Sequence, residues 1–251
     1  MSEILTFNGD LLSSNGEVLT FEVSPILPPG TLVIKYSTGV TPTFSKGTGT
    51  LLNPEENIWE FYCPDSNWEW INISQANILQ VLDANTSNIT SAFRLFGNAS
   101  RMTDICWFDS SNFSASSFIS LFDGCTSITE LPDIDFSNAT SLQTTFRSCS
   151  NLLYAPEIDS RNVTDMQLMF QFCTSLKEVP LLDTSSVITM NQSFQGCTNV
   201  ESGALALYQQ ASTQANPPGY HSSTFTDCGR NTITGSAELA QIPTSWGGDL
   251  V

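Results

Sequence analysis

The chain has 251 residues, of which 40% are hydrophobic, so it is long enough to bury a sizeable core and is not expected to be disordered. Its 25 acidic residues far outnumber its 8 basic residues, and the resulting net charge of -17 repels nucleic-acid phosphates and anionic lipid surfaces. We therefore expect no nucleic-acid partner.

Residues 1–66 carry no internal repeat and are predicted to form a small β-rich N-terminal domain or cap. Segments 17–23, 31–36 and 57–62 are rich in β-branched and aromatic residues and are predicted strands, separated by turn-forming residues at 28–30, 47–49 and 53–54. The start of the chain lacks the charged and apolar regions of a signal peptide, and no window reaches the roughly 18 apolar residues of a membrane span. We expect neither secretion by that route nor membrane insertion.

Aromatic residues cluster near the end of this region, at Trp59, Tyr62, Trp68 and Trp70. Such groups can stack on a sugar or anchor a partner protein. They can equally be core or cap residues that cover the open end of the first repeat. These four residues are the candidate contact residues for a partner or glycan.

The next region is organised by a repeat of 24 residues. A cysteine marks each unit, and a phenylalanine always stands three residues before it. The cysteines are Cys125, Cys149, Cys173 and Cys197, and the phenylalanines are Phe122, Phe146, Phe170 and Phe194. The period falls within the range of about 20–29 residues that leucine-rich repeats use. One unit cannot bury its apolar residues alone, so the units are predicted to stack with like residues in contact.

Within each unit the spacing predicts one short strand and one helical turn. The stretch from Leu176 to Asp183 contains Pro180, which prevents helix and favours an extended chain. Val163, Phe170 and Cys173 fall on one face at helical spacing. Residues 67–251 are therefore predicted to form a repeat domain with a C-terminal cap.

The pattern also predicts elements on both sides of the regular units. Residues 78–83 are the predicted strand of an earlier turn. Downstream, residues 204–210 are a predicted helix and residues 238–243 a predicted closing strand. Trp246 is predicted to cover the open end of the stack.

The cysteines, the histidine and the aspartates of the repeat do not predict a chemical site. The cysteines occur once per unit, which indicates small buried hydrophobes more than disulfides or metal ligands. His221 is the only histidine, and it lies in a loop where nothing marks it as a catalytic base. Asp135, Asp159 and Asp183 form a ladder that could attract a cation, but hydrogen bonds to the following turn explain these aspartates more simply. We expect no cofactor, no metal site and no catalytic residue.

The Phe-x-x-Cys-x-x-Leu-x-x-Val/Leu-Pro-x-Ile/Leu-Asp pattern, with Val-Thr-x-Met at the end of a unit, resembles the BspA-like leucine-rich repeat family. The resemblance covers about residues 67–248. It implies an α+β repeat solenoid, a leucine-rich-repeat-like (BspA-type) stack of about five coils of 24–26 residues behind the small β-rich N-terminal domain.

The resemblance implies a binding or structural protein and not an enzyme. Proteins with such repeats are found among bacterial surface adhesins and among the proteins of bacteriophages and prophages. Because an export signal is not evident, we expect a bacteriophage virion component, such as a head or tail fibre or decoration protein. Its expected partners are other virion or surface proteins, a host-surface receptor or glycan, and further copies of the chain. The alternative is an adhesin or carbohydrate-binding module on the bacterial surface.

Overall fold

The computed structural model describes residues 27–29, 31–38, 48–62 and 75–249. Its N-terminal part is one sheet with five strands. The strands are β1 (Thr31–Tyr36), β2 (Thr48–Asn53), β3 (Ile58–Tyr62), β4 (Ile78–Asn85) and β5 (Asp104–Ile105).

The strand order in the sheet is β2-β3-β1-β4-β5. β1 lies at the centre, antiparallel to both β3 and β4, and its Leu32, Ile34 and Tyr36 are buried. β4 and β5 are parallel, and β5 lies between Phe96 and Phe122, inside the repeat region. The sheet therefore reaches the repeats through the pairing of β4 with β5.

The strand predictions in this region have mixed outcomes. β1 has the predicted bounds, β3 begins one residue later than predicted, and a strand forms at the predicted 78–83 segment and runs on to Asn85. The turn predicted at 47–49 is wrong in part, because β2 begins at Thr48. The predicted strand at 17–23 and the predicted domain boundary between residues 66 and 67 lie outside the described residues.

The predicted α+β repeat solenoid, a leucine-rich-repeat-like stack with a strand and a helical turn in every coil, is wrong. The regular structure of the described residues is the five-stranded mixed sheet, two short α-helices and two 3₁₀ turns. The helices are α1 (Ala204–Thr213) and α2 (Ile233–Leu239). Between β5 and α1 the described chain consists of turns and extended segments joined by isolated bridges.

Left-handed residues explain why the segment from Val163 to Cys173 is not a helix. Leu168 has φ of 59° and Phe172 has φ of 62°, and a right-handed helix cannot pass through such residues. Equivalent positions in the other units are also left-handed. They are occupied by Arg94, Asn98, Ser120, Gly124, Thr144, Ser148, Gln192 and Gly196.

The backbone hydrogen bonds of this segment alternate between local and inter-unit partners. The Gln171 N–H donates to Leu168 O in the same unit at 3.3 Å, whereas the neighbouring Phe170 N–H donates to Ser193 O of the next unit at 2.8 Å. The same inter-unit step recurs along the chain. Further examples are Phe122 N–H to Thr145 O, Phe146 N–H to Met169 O, and Phe194 N–H to Thr224 O. Each unit is thus hydrogen-bonded laterally to the next.

The marker phenylalanines form one buried row of stacked rings, as the repeat predicted. Ring centroids of Phe146 and Phe170 are 4.9 Å apart, and those of Phe170 and Phe194 are 5.4 Å apart. The row begins at Phe96 and continues to Phe225. The ring centroids of Trp246 and Phe225 are 6.5 Å apart and the rings are stacked, so Trp246 contacts the last ring of the row as predicted.

Two helices close the C-terminal end. The predicted helix at 204–210 is confirmed as α1, which starts immediately after the left-handed Gly203. The Glu238 carboxylate of α2 accepts the N–H groups of Gly203 and Leu205 at 3.3 and 3.0 Å, so it caps the start of α1. The closing strand predicted at 238–243 is wrong, because the chain there is the end of α2 and a turn.

The ring row provides a direct test of what stabilises the repeats. Phe170→Ala should lower the free energy of unfolding by about 3–5 kcal/mol, because it opens a cavity between two stacked rings. Tyr154→Ala, at an exposed position of the preceding unit, should change it by less than about 0.5 kcal/mol. Urea unfolding followed by circular dichroism measures both, and equal losses would contradict the assigned role of the row.

Candidate functional site

A shallow groove runs across four units of the described chain. Two adjoining volumes of about 640 and 350 Å³ share Ile134, Asp135 and Glu157. We call their union the groove. It lies where the Pro-x-Ile/Leu-Asp segments of successive units run side by side.

The sequence of these segments explains the groove. Proline holds the chain extended, so the side chain before the aspartate turns inward and its neighbour turns outward. The inward residues Ile134 and Leu182 are buried, and together with Phe136 they form an apolar floor.

The outward position differs in every unit and forms one line across the groove. It is occupied by Trp107, Asp133, Glu157 and Leu181, which we call the rim row. Trp107 is 64% exposed and Leu181 is 71% exposed, and both acidic residues between them are exposed as well. Two large apolar groups at the ends and two carboxylates in the middle are therefore available for contact.

The electrostatics of the groove are acidic. Arg161 forms a two-point ion pair with Asp159, with N···O distances of 2.9 and 2.7 Å, and so compensates that one carboxylate. In the part of the chain that the structure describes, no ion pair involves Asp133 or Glu157. The middle of the rim row therefore presents two uncompensated negative charges.

The aspartate ladder has the local role that the sequence favoured. The backbone N–H of Ser137 donates to Asp135 Oδ1 at 2.9 Å, and that of Ser185 donates to Asp183 Oδ1 at 2.9 Å. The side-chain and backbone hydrogen bonds from Ser137 lower the pKa of Asp135, and those from Ser185 lower the pKa of Asp183. Over the described ranges, no group of three or more histidine, cysteine or acidic side chains is placed to hold a metal ion.

The aromatic cluster proposed from the sequence is only partly described. Trp59 lies on β3, where its backbone pairs with Ile34 and Leu51, and nothing is described of its side chain. Tyr62 is half-buried at the end of β3. Trp68 and Trp70 lie outside the described residues. Their predicted role as contact residues stays a prediction.

Trp107 and Leu181 were not predicted as candidate contact residues. A signal was present, because the position between Pro and Ile/Leu-Asp is aromatic, acidic or aliphatic in different units while its neighbours repeat. Such a position faces outward, since packing does not constrain it. Trp107 was harder to recognise, because its unit has Cys106 in place of the proline.

The cysteines form a buried ladder of hydrogen-bond donors. Cys149 Sγ donates to Phe122 O at 3.2 Å and Cys173 Sγ to Phe146 O at 3.0 Å, so each thiol joins its unit to the preceding one. Within the described residues all cysteines are free thiols. Burial raises the pKa of Cys197 to about 12, whereas that of the half-buried Cys106 is raised to about 11.

His221 has a structural neighbour that the sequence did not indicate. Its ring stacks on Trp246 with centroids 4.1 Å apart, and its Nδ1 lies 3.3 Å from Ser245 O. It therefore packs on the residue that covers the end of the ring row. As a separate finding, none of the helices that the structure describes is long and apolar enough to cross a membrane.

The thiol ladder leads to a labelling prediction. Iodoacetamide at about pH 8 should modify Cys106 slowly and leave Cys197 unmodified until the protein is unfolded, because a raised pKa keeps the thiol protonated and burial blocks access. Mass spectrometry of digested protein locates the label. Native-state labelling of Cys197 as fast as that of Cys106 would contradict the ladder.

The aspartate ladder leads to a prediction about pH. The folded-state pKa of Asp135 is below its ordinary value of 3.8, so its stabilising contribution is present above that value and is lost as the pH falls through the folded-state pKa. Asp135→Asn keeps a side-chain acceptor for the turn but removes the titration. It should therefore lose less stability than the wild type between about pH 6 and about pH 2 in urea unfolding.

Asp133→Asn is the matched control, because no hydrogen bond to the Asp133 side chain is seen within the described residues. This variant should lose as much stability on acidification as the wild type. If the two variants behave alike, the Asp135 hydrogen bonds do not stabilise the fold.

Comparison with known proteins identifies a family for the chain. The family described as "Mycoplasma protein of unknown function, DUF285" matches residues 73–157 and 140–216, which together cover more than half of the chain. That family is associated with BspA-like leucine-rich repeats, so the resemblance of the repeat pattern is supported at this level. Neither the curated proteins nor the solved structures gave a match. The chain belongs to the DUF285 family.

Proposed function

We propose that the protein is a non-enzymatic binding protein that contacts its partner through the rim row and the floor of the groove. The observation that carries the proposal is the exposure of Trp107 and Leu181 at the two ends of a depression with a buried apolar floor. Exposed apolar groups around a depression are typical of binding surfaces.

The arrangement of the units supports a display role. Inward residues are used for the core and for bonds between units, while outward residues at the rim row are free to differ. Units joined side by side in this way present a surface whose chemistry is set one unit at a time. A change at one outward position therefore alters contact without altering the fold.

Within this role, we propose that the protein is a bacteriophage virion component, a head or tail fibre or decoration protein. The support is the repeat resemblance together with the acidic, serine-, threonine- and asparagine-rich composition. Its partners in this proposal are neighbouring virion proteins or a host-surface receptor, and the chain assembles with them as a structural part.

Purified particles test this proposal. Tryptic peptides of the chain should remain with the particles through density-gradient purification, at a ratio to the major capsid protein that is constant across the gradient. A soluble host protein of similar size is the control for carry-over. If the chain stays with that control in the soluble fractions, the proposed virion role is wrong.

A surface adhesin or carbohydrate-binding module is the second candidate. It is favoured by two exposed aromatic side chains, Trp107 and Tyr154, because aromatic faces stack on sugar rings. A glycan array separates the two candidates. Sugar binding without particle association favours the adhesin, and particle association without sugar binding favours the virion component.

A further inference from the structure

We propose that the groove binds an extended, positively charged protein segment, with a lysine or arginine side chain between two apolar side chains at alternate positions. This inference rests on the proposed binding function and specifies the chemistry of the partner. It is carried by the order apolar, acidic, acidic, apolar along the rim row, Trp107 to Leu181.

The length of the rim row fits a short extended peptide. The four units that carry the row are separated by ring-centroid steps of 5.7, 6.0 and 4.9 Å in the core, so the row is about 17 Å long. The first and fifth residues of an extended segment are four steps of about 3.4 Å apart, or about 14 Å, and side chains that lean outward cover the remaining distance. In an extended segment the first, third and fifth side chains face the same way. The first and fifth then lie near Trp107 and Leu181, and the third lies between Asp133 and Glu157.

The charges select a cation for the central position. Asp133 and Glu157 are exposed and are not part of any ion pair among the described residues. Asp135 on the wall of the groove adds a third carboxylate. A guanidinium or ammonium group at the third position meets these carboxylates, while the net charge of -17 attracts a basic partner from a distance.

The apolar ends distinguish this partner from a small cation or a neutral sugar. Trp107 gives an aromatic face and Leu181 an aliphatic one, at opposite ends of the rim row. A metal ion or polyamine would leave these groups exposed to water. A neutral glycan would stack on Trp107 but would gain little from the carboxylate charges, so the combination favours a peptide.

Peptide arrays test the proposal with the full-length protein. The probes are five-residue cores in Gly-Ser flanks, with arginine, glutamine or glutamate at the central position and leucine or serine at the first and last. The core Leu-Ser-Arg-Ser-Leu should bind best. Replacing its arginine by glutamine, or both leucines by serine, should weaken binding by about tenfold or more. Binding should also weaken as salt is added, because the ionic contacts are solvent-exposed.

Variants of the protein locate the interaction. Asp133→Asn with Glu157→Gln should weaken binding of the arginine peptide by about tenfold and remove the difference between the arginine and glutamine peptides. Trp107→Ala should weaken the binding of every peptide that contains leucine. The matched control is Glu55→Gln with Glu201→Gln, which removes the same charge at exposed positions away from the groove and should change binding by less than about twofold. Circular dichroism confirms that each variant is folded.

The outcomes separate the partner class from the binding function. If the peptides do not bind but a glycan array gives binding that Trp107→Ala abolishes, the cationic peptide is the wrong partner and the groove is still a binding site. If the control variant weakens peptide binding as much as the groove variant, only net charge matters and the groove assignment is wrong. If neither array gives binding that depends on Trp107, both the proposed partner and the proposed use of the groove are overturned.

Discussion

The structure depends on one constraint, the register in which each unit is hydrogen-bonded to the next. Every second N–H group donates to a carbonyl of the following unit and not to its own turn, as the Phe170 N–H does to Ser193 O. This is possible because left-handed residues such as Leu168 and Phe172 break the helical path in every unit. Each such non-glycine residue costs about 1–2 kcal/mol, which the lateral hydrogen bonds and ring contacts offset. This register requires a fixed number of residues between equivalent positions, because a shift by one residue would misplace all the hydrogen bonds and ring contacts between two units.

The same register divides the side chains into structural and surface positions. Inward positions keep one chemical type, as with the phenylalanine rings and the thiols that donate to the preceding unit. Side chains such as Asn138, whose amide donates to Ser111 O at 2.8 Å, add polar bonds between units. Outward positions are not constrained in this way. The rim row is the clearest case, and its variation from Trp107 to Leu181 places exposed apolar and acidic side chains on an otherwise uniform scaffold.

The sequence predicted contacts between units better than it predicted the conformation within them. The 24-residue period revealed that Phe146, Phe170 and Phe194 lie together, because only residues at a strict spacing can share a packed row. The helical turn predicted for residues 163–173 was wrong, because a chain of turns can place the same side chains inward. Nothing in the sequence at residues such as Leu168 indicates a positive φ. The Asp135 hydrogen bonds were foreseen from the type of side chain. The groove was not foreseen, because it arises where four segments from different units meet, and Cys106 replaces the proline of the motif beside Trp107.

Deletion of one whole unit tests the register most directly. Removing residues 159–182 brings Asp183 into the place of Asp159 and sets Phe194 against Phe146, so the hydrogen-bond and ring rows close again. This whole-unit deletion variant should fold, with cooperative unfolding in urea and a near-ultraviolet circular dichroism spectrum like that of the parent protein. Removal of residues 171–182, half a unit, should abolish both, because Phe194 and the inward residues that follow it then stand half a period out of register with the units before the deletion. If the half-unit deletion folds as well as the whole-unit deletion, the register is not what holds the structure together.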